Sequence, residues 1–200
     1  MARLAGIGGL LILLATVEVL PQTSAPSSKE LEAFVGAYDL RDGTVARIVL
    51  RGGSLIADAG LGPTTRLKPL SDETFESEGS EPIRLTFVRG SGSEPTIRVT
   101  QGSRTRQGQR IAVPRAVLAK YVGRYPLSAD LAMVVTLEGE RLIAQATGQS
   151  RHPLFPESST TFFVQDYQSE DLAQLEFGSG AEGSFVVFRQ GGVEQKVIRK

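Results

Sequence analysis

Apolar and polar residues alternate with a period of two through most of this chain. Ala46, Ile48 and Leu50 alternate with Arg47, Val49 and Arg51, and Met133, Val135 and Leu137 alternate with Val134 and Thr136. Ile83, Leu85 and Phe87 alternate with Arg84 and Thr86, and Ile97 and Val99 with Arg98 and Thr100. Each run gives a strand one apolar face and one mixed face, as an antiparallel sheet wet on one side requires. Turn signals separate the runs: Asp42-Gly43, Gly52-Gly53, Gly90-Ser91-Gly92, Glu138-Gly139-Glu140, Gly178-Ser179-Gly180 and Gly191-Gly192. Strands recurring roughly every 8–12 residues with short turns between them predict an up-and-down antiparallel meander. Closing each meander into a barrel removes its exposed edges.

Two segments break the period. Ser27 followed by Glu30 is a capping box, so a short helix is expected over Lys29 to Val35, burying Leu31 and Phe34 and stopped by Gly36. Pro114 marks a second helix start, with Leu118, Tyr121 and Val122 as its buried stripe and Gly123 as its stop.

These two helices open two copies of one segment. Leu31, Phe34, Val35, Gly36 and Tyr38 return 87 positions later as Leu118, Tyr121, Val122, Gly123 and Tyr125. The register holds without a gap to Phe75, which meets Phe162, and it pairs Leu50 with Leu137, Leu55-Ile56-Ala57 with Leu142-Ile143-Ala144, and Leu67 with Leu154. A repeat of this length is a duplicated small domain rather than a solenoid unit. The expectation is an all-β protein of two tandem barrels, over residues 26–111 and 116–200, each preceded by a short helix and joined by a hinge at Ala112 to Arg115.

Residues 1–25 change the picture of location. Arg3 precedes an apolar run from Leu4 to Val17, and Thr23-Ser24-Ala25 offers a small-x-small cleavage site. The run is shorter than the roughly 20 residues of a spanning helix. A cleaved signal peptide, with no stable membrane anchor and a periplasmic or secreted mature chain, is the expectation. There is no cysteine, so core burial must hold the protein together without disulfides. The formal net charge is zero with both signs mixed along the chain, which excludes the basic footprint of a nucleic-acid binder.

The second copy carries Leu118-x-x-Tyr121-Val122-Gly123-x-Tyr125, then Leu137 through Gln149, then Leu154-Phe155-Pro156-Glu157-Ser158, then Thr161-Phe162-Phe163. In these motifs it resembles the lipocalin-like C-terminal domain of penicillin-binding-protein-like serine peptidases and β-lactamase relatives, a domain of unknown function. The first copy resembles a diverged member: it keeps Phe34-Val35-Gly36-x-Tyr38 but replaces Phe155-Pro156-Glu157 with Lys68-Pro69-Leu70. The resemblance implies two lipocalin-like barrels and a non-enzymatic accessory or binding module whose partner is a serine peptidase or β-lactamase-like protein. The hydrolases of that group need a Ser-x-x-Lys motif. None of the five lysines here has a serine three residues before it.

Candidate chemistry is sparse. His152, the only histidine, lacks a Gly-x-Ser-x-Gly partner motif and reads as a loop residue rather than a catalytic or metal-binding one. Asp166, Glu170 and Asp171, with Gln165 and Gln168, could offer oxygen ligands to Ca²⁺ but fit no calcium-loop spacing, and Glu73, Glu76, Glu78 and Glu81 are no closer to one. No catalytic, cofactor or metal site is therefore expected. Tyr38 and Tyr125 hold matching positions, either lining a slot for a small ligand at a barrel mouth or packing the core with each hydroxyl bonded to backbone. The small-residue stretch around Gln145, Thr147 and Gln149 lets a partner approach the backbone and completes the candidate binding surface. Small-molecule or peptide binding at a barrel mouth, or between the barrels, is the alternative to the accessory reading. An eight-stranded barrel is narrow enough to be filled by its own side chains, which argues against a large internal cavity.

Overall fold

The computed structural model describes residues 26–58, 64–89, 94–165 and 172–200; the expected signal peptide lies outside them. The architecture is all-β, in two antiparallel eight-stranded units that each follow chain order from strand to strand. The first contains β1 (Gly36–Asp39), β2 (Val45–Arg51), β3 (Ser54–Asp58), β4 (Thr65–Pro69), β5 (Thr74–Ser77), β6 (Ile83–Val88), β7 (Thr96–Gln101) and β8 (Arg104–Arg110). The second contains β9 (Gly123–Pro126), β10 (Ala132–Glu138), β11 (Arg141–Ala146), β12 (Arg151–Pro156), β13 (Thr161–Val164), β14 (Gln174–Gly180), β15 (Gly183–Gln190) and β16 (Val193–Ile198). At two of the expected turns, Gly52-Gly53 and Gly191-Gly192, all four glycines have positive φ, as a two-residue hairpin whose twist matches its strands demands. Gly178-Ser179-Gly180 is a correction: it is the end of β14, where Gly178 makes room for the Phe185 ring opposite, and the turn follows at Ala181-Glu182. Gly90-Ser91-Gly92 lies outside the described residues.

The helix α1 (Ser28–Glu32) starts at the capping box, with Ser27 Oγ accepting from the Glu30 amide and the Glu30 carboxylate accepting from the Ser27 amide. In the second copy α2 (Arg115–Leu118) starts after Pro114 and runs into a 3₁₀ turn, Ala119–Tyr121. Leu31, Phe34 and Leu118 are buried as expected. Val122 is a correction: it is exposed, whereas its counterpart Val35 belongs to the apolar cluster that the second barrel helps to cover.

Each helix closes one end of its barrel through the same four rings. Phe34 stacks on Phe87 at 4.3 Å and Tyr121 on Phe177 at 4.5 Å. Tyr38 and Phe75 flank Phe87, and Tyr125 and Phe162 flank Phe177, at 5.6–5.9 Å between centroids. An arginine at the end of the last strand, Arg110 closing β8 and Arg199 just after β16, locks the helix end. Arg110 Nη1 donates to the Ala33 and Val35 carbonyls, and Arg199 Nη1 to those of Lys120 and Val122, satisfying acceptors that a helix terminus leaves open. The arginine stems cross over Gly36 and Gly123, where a Cβ would sit 2.8 Å from Arg110 Cδ and 2.5 Å from Arg199 Cδ. These are the physical reason for a glycine at that point in both copies.

The units differ at the seam between first and last strands. β1 pairs with β8 through Tyr38 with Arg110 and Asp39 with Gln109, so the first barrel is closed. Gly108 makes this approach possible, because a Cβ there would meet Leu40 Cδ2 at 2.6 Å and the Asp39 carbonyl oxygen at 3.0 Å. By strand register Val197 takes the place of Gly108, since Ile97 faces Gly108 as Val186 faces Val197. The second unit is accordingly only nearly closed: β9 and β16 share no ladder, and the seam is held by the Lys200 amide on the Arg124 carbonyl and the Gln195 side chain on the Leu127 carbonyl.

The barrels pack face to face, and the packing is not symmetric. Val49 and Ile56, on the outer side of β2 and β3, are buried in one cluster with Phe155 and Phe163 from the outer side of β12 and β13. Phe155 and Phe163 are direct cross-strand partners, stacked at 5.2 Å. The first copy has Lys68 and Glu76 in their places. Its corresponding face is thus polar and stays in solvent.

Candidate functional site

Tyr38 and Tyr125 belong to the core, being 0% and 1% exposed. Their hydroxyls donate to the Phe34 carbonyl at 2.9 Å and the Tyr121 carbonyl at 2.8 Å, so the packing alternative describes where both side chains sit. Burial pushes the Tyr38 phenol far above its ordinary range, and burial raises that of Tyr125, with Arg199 opposing. A pH dependence follows. The unfolded chain releases the Tyr38 proton near pH 10 whereas the folded chain retains it. The stabilisation is therefore complete below pH 10 and is lost progressively as pH rises above it. Urea midpoints measured from pH 8 upwards are expected to fall less steeply above pH 10 for Tyr38→Phe than for the wild type. At neutral pH the variant is expected to be about 1 kcal/mol less stable through its lost hydrogen bond. Identical alkaline slopes would refute the assignment.

Gln145, Thr147 and Gln149 lie together on exposed surface where β11 turns towards β12. The Gln145 amide donates to the Gln149 carbonyl at 3.1 Å, and the Thr147 hydroxyl both donates to the Ala132 carbonyl and accepts from the Ala132 amide. Their polar groups are largely engaged in shaping the turn. Of the three, Gln149 lines a cavity. This cavity is the open mouth of the second barrel, about 380 Å³, at the end away from the helix. Its wall is Leu127, Met133, Ala144, Ala146, Leu175 and Phe188, and its polar lining is Gln149, His152, Gln190 and Gln195. His152 is a correction: it is on β12, paired with Ala144, and not in a loop. Its Nδ1 is 3.3 Å from the Gln165 carbonyl oxygen. A carbonyl only accepts, so Nδ1 carries the proton there and, in the neutral ring, Nε2 is an acceptor.

Gln165 corrects a second reading. The sequence groups it with Asp166, Gln168, Glu170 and Asp171 as oxygen ligands; those four lie outside the described residues. Gln165 itself is 1% exposed and bridges the two barrels. Its Nε2 donates to the Leu50 carbonyl at 2.7 Å, and its Oε1 accepts from the Leu50 amide at 3.3 Å. β1 begins opposite Ile48, so it stops short of Leu50, and the glutamine amide supplies the two hydrogen bonds of a missing strand residue. Beside it Arg47 donates to Glu157 and, at 3.1 Å, to Asp58; Gln174 Nε2 also donates to Glu157, at 2.5 Å. Burial works against the Arg47 charge, but the hydrogen bond and charge of Glu157, followed by Asp58, outweigh it and hold its pKa above the ordinary value. In the first copy Glu76 pairs with Arg84, Glu78 with Lys68 and Glu73 with Arg89, so these carboxylates serve surface ion pairs.

Arg110, Arg199 and the structural role of Gln165 were not apparent from the residue pattern. The arginines had a signal in principle, since each closes its copy two residues after the Gly108 or Val197 position.

Two antiparallel eight-stranded meanders, each with a short helix at one end, define a tandem β-barrel class of protein. The chain belongs to the family described as Domain of unknown function (DUF3471), which matches it twice, over residues 20–111 and 107–190. It is also similar to "Penicillin-binding protein 4*" of Bacillus subtilis (strain 168), with 37% identity over 89 residues, covering 44% of this chain and 19% of that protein. The chain thus spans about a fifth of the length of that relative. No solved structure matches it.

Proposed function

We propose that this protein is an exported, non-enzymatic accessory module that docks to a penicillin-binding-protein-like serine hydrolase. The observation that carries this reading is the match to a fifth of a penicillin-binding protein, in a chain that repeats the family domain twice and lacks the Ser-x-x-Lys motif. The leader-like residues 1–25 support a destination in the cell envelope or beyond. We read each unit as a lipocalin-like barrel, on the strength of its eight-strand meander order and its helix at one end. Apolar residues on the described surface are scattered singly, as in Leu70, Val88, Val134 and Val193, which suits a module that docks through a polar, transient contact.

The test is to mix the purified chain with the Ser-x-x-Lys hydrolases of its own genome. A complex by calorimetry, with a changed rate of ester or amide hydrolysis, is expected for at least one of them. Absence of any complex together with unchanged rates would overturn the proposal.

A further inference from the structure

We propose that the mouth of the second barrel is a binding site for one uncharged, mainly apolar small molecule carrying at most one hydrogen-bonding end group. This does not depend on the docking reading above. The first observation is the volume, about 380 Å³, within the range of small-molecule pockets. The second is the chemistry of the lining. Among the described residues no Asp, Glu, Lys or Arg contributes to it, so a charged ligand would lose its hydration without gaining a counter-charge. The wall is aliphatic and aromatic, and its polar groups are three glutamines and His152. His152, with Nδ1–H committed to Gln165, leaves Nε2 as an acceptor for a ligand hydroxyl or amide N–H.

The third observation is the sister barrel. Leu40 and Leu127 occupy the same place, each with its amide on the carbonyl four residues later. In the first barrel Leu40 packs onto Gly108 and is buried, so a side chain of the chain itself covers the seam side of that mouth. In the second, Val197 occupies the space that Gly108 leaves free, the seam widens, and Leu127 remains half-buried on the cavity wall. The sequence change at one strand position therefore separates a seam covered by Leu40 from one that leaves Leu127 on an open apolar wall. Only the second barrel is expected to take a ligand.

The probe is the uncharged dye N-phenylnaphthylamine, titrated by fluorescence into the full chain with no hydrolase present. Saturable binding of one dye per chain is expected. Ala146→Phe, which fills the wall, and Val197→Gly, which restores the first barrel's arrangement, are each expected to weaken binding at least tenfold. Val88→Ser, on the exposed face of the first barrel, should leave it unchanged. Should the mouth variants fail to fold, amide shifts of the wild-type chain on titration with octanol decide: changes centred on Leu131, Ala144, Ala146 and Phe188 uphold the site. No saturable binding, undiminished binding by folded Ala146→Phe, loss of binding in Val88→Ser, or shifts centred on Phe155 and Phe163 would overturn it. Because only the free chain is used, failure here leaves the hydrolase test untouched.

Discussion

Replacing Phe163 by alanine is expected to destabilise the protein by roughly 3–5 kcal/mol, the cost of deleting a fully buried aromatic ring. Phe163 is 1% exposed, yet it points outward from its own barrel. Its ring lies against Phe155 and belongs to the apolar cluster built on the first barrel, where Val49 and Ile56 face it. The loss therefore falls on the contact between barrels more than on either interior. A single cooperative unfolding transition in the wild type should separate into two in the variant, since each unit keeps its own ring cluster and helix plug. With no tryptophan in the chain, far-ultraviolet circular dichroism and tyrosine fluorescence are the natural probes, Tyr38 being the one tyrosine of the first copy and Tyr121, Tyr125 and Tyr167 the three of the second. A loss under about 1 kcal/mol would show that the aromatic face is not what joins the barrels.

Gln165→Leu is expected to cost about 2–4 kcal/mol, because it removes the partner of a buried amide and a buried carbonyl together. Leucine matches the bulk of glutamine closely enough that packing is not the main loss. The distinguishing readout is local. Hydrogen exchange at the Leu50 amide should accelerate strongly, while amides in the ladder of β7 and β8 stay protected. Unchanged protection at Leu50 would show that another group serves this backbone.

The two variants act on residues whose importance was legible to different degrees. Phe162-Phe163-Val164 breaks the alternation expected of a strand with one wet face, and such a continuous apolar run signals burial on both sides. The replacement of Phe155 by Lys68 between copies pointed to a difference between the units but could not say that Val49 and Ile56 would cover the Phe155 and Phe163 rings. Gln165 carried no such signal. A glutamine beside an acidic stretch resembles any solvated loop until the position of Leu50 is known, and the two residues are 115 apart in sequence. The strand placement of His152 was not legible for a related reason: its partner across the ladder is Ala144, and Arg151-His152-Pro153 shows no apolar alternation of its own.

By itself the sequence determined what depends on neighbours along the chain. The period of two set the strands, the glycine pairs set the hairpins, Ser27 and Glu30 set the first helix start, and the 87-residue register set two like units. Tertiary structure alone decided which outward faces are buried, which backbone groups need a side-chain partner, and which barrel end stays open. Those outcomes turn on contacts between distant segments: Phe163 against the first barrel, Gln165 on Leu50, and Gly108 or Val197 at the closing seam. Burial and hydrogen-bond satisfaction are properties of the whole packed chain, and a local pattern holds only one side of each contact.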